Sequence, residues 1–178
     1  MDHFTYNTYA ENMKAAEHFM STAQEDSLGQ RWNLVAAVAF SAFSIEAFIN
    51  HVGELQIENW REWDSSIRPN TEAKLERLQV SLSKSSKVNF TELFQLRDMI
   101  AHGRTITISK NVRKPQNNLK GAINNLSSEF ESRTTLVKVA ALVSAAKEII
   151  EFINSVTLCL GQHKLWSIGN GVLKTSKA

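Results

Sequence analysis

The stretch Ala36-Ala37-Val38-Ala39-Phe40-Ser41-Ala42-Phe43-Ser44-Ile45-Glu46-Ala47-Phe48-Ile49-Asn50 holds one charged residue, Glu46, and neither glycine nor proline. Its apolar residues are spread around the whole helical circumference instead of along one stripe. This spacing predicts a helix buried on all sides, with other helices packed around it. The apolar run Leu34 to Ile49 is shorter than the ~20 residues of a membrane span, and Glu46 interrupts it, so it reads as a domain core.

Before the central helix, which should run from about Arg31 to Val52, a first helix is expected from about Tyr6 to Gln24. The turn Asp26-Ser27-Leu28-Gly29 joins the two as an antiparallel pair. After it, Trp60 and Trp63 stand at helical spacing and read, with Trp166, as packing anchors. Pro69-Asn70-Thr71 breaks the chain before a short amphipathic helix with Leu75, Leu78 and Leu82 on one face, and Ser81 to Lys87 reads as a polar linker. Asn89 as N-cap with Glu92 at the third helical position predicts a helix from Phe90 to His102, stopped by Gly103. Thr105-Ile106-Thr107-Ile108 alternates as a short strand or extended stretch, and Asn111 to Asn125 reads as loop. A last helix is expected from about Glu131 to Leu160, with Leu136, Val139, Val143, Ala146, Ile150 and Ile153 facing the core. The fold class is therefore all-α: an up-and-down bundle of four to five helices in one domain over residues 1–178, with a core of about 5–160, a loop of about 104–128 and a tail of 161–178.

A chain of 178 residues with 43% hydrophobic and 21% charged residues is ordinary for one globular domain. The single cysteine, Cys159, excludes an internal disulfide and a multi-cysteine metal site. Met1 to Tyr6 has no basic, apolar signal pattern, and a cytoplasmic protein is expected, with no membrane partner. A Gly-rich phosphate loop, a metal-ligand spacing and a nucleophile elbow are all lacking, so most enzyme classes lose support and neither a metal nor another cofactor is expected. Charge is uneven. Residues 105–178 carry ten bases against four acids, and between Asp98 and Glu129 there is no acid while Arg104, Lys110, Arg113, Lys114 and Lys120 all fall there. Such a cluster suits phosphate contacts with RNA, or is a solvated loop with ordinary surface lysines.

Directly before that cluster lies Leu96-Arg97-Asp98-Met99-Ile100-Ala101-His102-Gly103. Phe90, Leu93, Phe94, Ile100 and Ala101 fan out around Arg97, which places a permanent cation over apolar surface. An unpaired buried charge costs several kcal/mol, so Arg97 needs a partner, and Glu46 is the lone charge on the apolar stripe of the central helix. If that pair is buried, removing one member should cost about 3 to 5 kcal/mol. Arg97 and His102 differ by about 140° around the helix axis and about 7.5 Å along it, so one helix cannot converge them on one phosphate. His102 lies at the negative end of the helix dipole. His3, His18, His51 and His163 have no comparable setting and read as surface or interface residues.

An Arg, a polar residue, three further residues, a His and a Gly: this pattern resembles the Arg-x4-6-His motif of the HEPN (higher eukaryotes and prokaryotes nucleotide-binding) superfamily of small all-α proteins. A preceding apolar helix with an isolated acid, here Glu46, is similar to that family's arrangement, and the resemblance covers roughly residues 5–160. It implies a homodimer in which Arg97 and His102 of two subunits meet and cleave RNA without a metal. In that arrangement Arg97 clamps phosphate, His102 transfers protons, Asp98 orients one of them, and Glu46 with Asn50 holds Arg97. The implied products are a 2′,3′-cyclic phosphate and a 5′-hydroxyl. The implied role is a toxin or phage-defence effector, with an antitoxin protein as a further partner. The family also contains non-catalytic scaffold and nucleotide-binding modules, which stand as the alternative.

Overall fold

The computed structural model describes residues 7–25, 27–102, 129–157 and 165, and among them are seven helices and no strand. They are α1 (Thr8–Glu25), α2 (Gln30–Gln56), α3 (Trp60–Ile67), α4 (Thr71–Arg77), α5 (Lys84–Ala101), α6 (Glu129–Arg133) and α7 (Leu136–Thr157). The all-α class follows, but three short helices join the four long ones, against the four or five helices expected in all. The stretch Thr105–Ile108, the loop 104–128 with its five basic residues, Gly103, Cys159 and all of the tail but residue 165 lie outside the described residues. Leu165 packs against the core.

Helices α1 and α2 form the expected antiparallel pair. Gly29, at φ +84°, makes the turn that a side chain would strain, and the Gln30 amide reaches back to cap the free carbonyl of Ala23 at 2.8 Å. At the other end of the pair the buried Ser44 hydroxyl donates to the Tyr9 carbonyl at 2.6 Å. Helix α7 runs parallel to α2: Arg31 pairs with Glu131 at 2.7 Å at one end, and Gln56 donates to the Thr157 carbonyl at the other. The shared core is built from Val38, Ile45, Phe48, Ile49, Leu93, Leu96, Ile149 and Ile150. By length and composition α2 is apolar enough to cross a membrane, and 50% of its most apolar window is buried inside the bundle. Burial on all sides does not hold. The helix touches α1, α3, α4, α5 and α7, yet Trp32, Phe43 and Leu55 stand exposed.

Several boundaries differ from expectation. Helix α5 begins at Lys84, one and a half turns before Phe90, because the Ser83 hydroxyl accepts from the Ser86 amide at 3.2 Å and acts as the N-cap; Asn89 is an interior residue and the supposed linker is largely helical. The last helix is broken at Thr134-Thr135, where the Thr134 N–H and hydroxyl both bond to the Phe130 carbonyl, at 2.9 and 2.8 Å, and the helix resumes at Leu136. Helix α4 starts where expected, with the Asn70 side chain accepting from Ala73 N at 2.8 Å. Trp60 is buried against Gly53 of α2, where a Cβ would overlap the indole. This contact seats α3 and, after it, α4 beside the C-terminal half of α2.

Candidate functional site

Helices α2, α3, α4 and α5 meet at a line of alternating charges. Asp64 of α3 accepts from Lys74 of α4 at 2.8 Å. Lys74 lies 3.9 Å from one oxygen of Glu46 on α2, whose other oxygen is 3.4 Å from Arg97 on α5. Arg97 closes the row on its neighbour Asp98 at 2.9 Å. The expected Glu46–Arg97 contact is therefore present, though it is longer and more exposed than a buried pair: the two side chains are 34% and 21% exposed. The guanidinium lies 5.4 Å from the Phe94 ring centroid, and its Nε–H is buried without an acceptor among the described residues.

Asn50 does not hold Arg97. One turn beyond Glu46, it accepts from Lys74 at 2.9 Å. Lys74 and Asp64 are the residues that sequence reasoning missed. The lysine side chain is only 4% exposed, and a buried ammonium survives there because Asp64, Asn50 and Glu46 surround it. The signal was available: Thr71, Lys74, Leu75 and Leu78 fall at helical spacing, and all four are buried. A lysine inside such a stripe, like an arginine inside its own, asks for a carboxylate.

Beside this row a groove of about 440 Å³ opens between the start of α4 and the face of α5. Its walls include Glu46, Glu72, Arg97 and Asp98, with Phe90 and Phe94 on the apolar side. Three carboxylates thus face one guanidinium, and the groove as a whole carries negative charge. His102 is not part of it. It forms the C-cap of α5, exposed, with its backbone N–H on the Asp98 carbonyl at 2.8 Å. Arg97 and His102 therefore present to different places on one chain, as their spacing requires. Of the other histidines, His18 is exposed, whereas His51 is half-buried with its ring 5.5 Å from that of Tyr9. Trp60 is the packing anchor expected, and the half-buried Trp63 lies 5.0 Å from it, with Arg77 over its ring at 4.4 Å. Among the described residues no three His, Cys, Asp or Glu side chains gather in a way that holds a metal ion. No family model, curated protein or solved structure matches the chain.

Proposed function

We propose that this protein is a HEPN-type endoribonuclease that acts as a homodimer, cutting RNA without a metal or other cofactor as a cytoplasmic toxin or phage-defence effector under the control of an antitoxin protein. The observation that carries the reading is Arg97. It is fixed at the rim of a groove by Glu46 and Asp98, the contact to Glu46 is long, and the side chain is 21% exposed, so its terminal NH groups keep donor capacity for a ligand. A planar, permanently charged fork in that state suits phosphoryl oxygens.

In the reaction the ribose 2′-oxygen attacks the adjacent phosphorus, and the bond from phosphorus to the 5′-oxygen breaks. One proton leaves the 2′-hydroxyl and one reaches the departing 5′-oxygen. His102, exposed at a helix end, is the group that moves them, and Arg97 stabilises the charge on phosphorus. A two-fold axis beside α5 supplies what one chain lacks, because it brings two copies of each residue to one cleft. The basic residues Arg104, Lys110, Arg113, Lys114 and Lys120 add phosphate affinity.

The alternative is a non-catalytic dimerisation or nucleotide-binding module, favoured by the short Arg97–Asp98 pair, which satisfies part of the arginine internally. Cleavage of labelled RNA by the purified protein in chelator separates the two. The nuclease reading expects cleavage with 2′,3′-cyclic phosphate ends, lost in a folded His102→Ala variant. Intact RNA, or equal cleavage by His102→Ala, refutes it.

A further inference from the structure

The groove is poorly suited to the phosphate itself. Glu46, Glu72 and Asp98 outnumber Arg97, so an anion is drawn to the guanidinium at the rim and repelled from the interior. What the interior offers is different: the half-buried Phe94 ring, backed by the buried Phe90 ring with centroids 4.6 Å apart, and polar groups with capacity left. The Glu72 carboxylate is exposed at the groove and has neither an ion pair nor a hydrogen bond among the described residues. Asp98 uses one oxygen on Arg97 and keeps the other. Gln95 accepts from Arg133 through its carbonyl at 3.0 Å, and Asn70 accepts from the Ala73 amide at 2.8 Å, so both side-chain NH₂ groups remain as donors. The volume of about 440 Å³ is that of a small-molecule pocket.

We infer that this groove is a nucleobase subsite selective for bases bearing an exocyclic amine. The inference rests on the ribonuclease reading only for where the base comes from. A flat ring packs against Phe94, as bases do on aromatic side chains, with Phe90 fixing that ring from behind. Its amine donates to Glu72 or Asp98, in the manner of a carboxylate reading the cytosine amine. The Asn70 and Gln95 amides donate to the neighbouring ring nitrogen and carbonyl. Uracil turns a carbonyl oxygen toward the carboxylates where cytosine turns its amine, and is rejected. The phosphate next to the selected base then falls on Arg97 at the rim.

Cytidine and uridine differ at this one edge and carry no phosphate, so they probe the subsite without the chemistry. In an NMR titration of the full-length protein, cytidine should shift the amide resonances of Gln95, Phe94 and Glu72 saturably, about tenfold more tightly than uridine. Glu72→Gln, an exposed and nearly isosteric change, should erase that preference while leaving the spectrum of the free protein otherwise intact. Equal binding of the two nucleosides, or no shift at these residues, overturns the inference. Cytidine-selective binding by a protein that leaves RNA intact upholds the subsite and refutes the nuclease. RNA cleavage without nucleoside preference does the reverse.

Discussion

Lys74 carries more of the site's energetics than Arg97, although Arg97 is what the sequence brings forward. An ammonium 4% exposed, with a carboxylate at 2.8 Å, is a buried ion pair, and losing the cation leaves Asp64 and Asn50 facing an apolar gap. Because Asp64 is itself a third exposed and can rehydrate in part, Lys74→Met should cost about 2 to 3 kcal/mol, below the full loss for a sealed pair. Glu46→Gln, by contrast, loosens two long contacts at a partly solvated position and should cost about 1 kcal/mol. Urea unfolding of both variants checks the order; a costlier Glu46→Gln would show that Arg97 and not Lys74 anchors the row. The Glu46–Arg97 pairing was readable because each charge interrupts a long apolar stripe. Lys74 sits in a helix of only seven residues, where the stripe is too short to make one polar intruder stand out.

Helix α3 is seated on α2 by the close approach of Trp60 to Gly53. An alanine in a helix interior ordinarily stabilises relative to glycine by about 1 kcal/mol; at Gly53 the added methyl overlaps the indole, so Gly53→Ala should instead destabilise by about 1 to 3 kcal/mol. A higher melting temperature for Gly53→Ala would mean that Trp60 is not seated there. Between α1 and α2, burial raises the Tyr9 phenol above its ordinary value of 10.0. The folded state therefore favours the neutral phenol, and this contribution is complete below the unfolded value and lost as pH rises above about 10 toward the folded one. Tyr9→Phe, which keeps the carbonyl that Ser44 needs, should flatten the fall of the urea midpoint in that alkaline range; an unchanged slope would contradict it. The α1–α2 hairpin was readable from its periodicity and Gly29. The starts of α5 and α7 were not, because two serines and a threonine pair, all polar and loop-like by composition, act through side-chain bonds to the backbone that one cap or break can satisfy in several registers.

In the molecule as a whole, one chain separates the two residues that the proposed chemistry must join. Arg97 lines the groove, while His102 caps α5 in solvent outside it. That separation was readable from a five-residue spacing on one helix, whereas the negative charge of the groove was not, since Glu72 comes from another helix and reaches the site only through the packing of α4 on α2. In the proposed two-fold dimer a composite site joins Arg97 of one copy with His102 of the other, and activity is then a property of the pair. The most direct measurement is chelator-resistant RNA cleavage per chain across a dilution series, set beside the oligomeric state from sedimentation at the same concentrations. Specific activity should fall with the dimer fraction and be absent at every concentration in folded His102→Ala. Activity per chain that stays constant into the monomer range, or a dimer that leaves RNA intact, would contradict it.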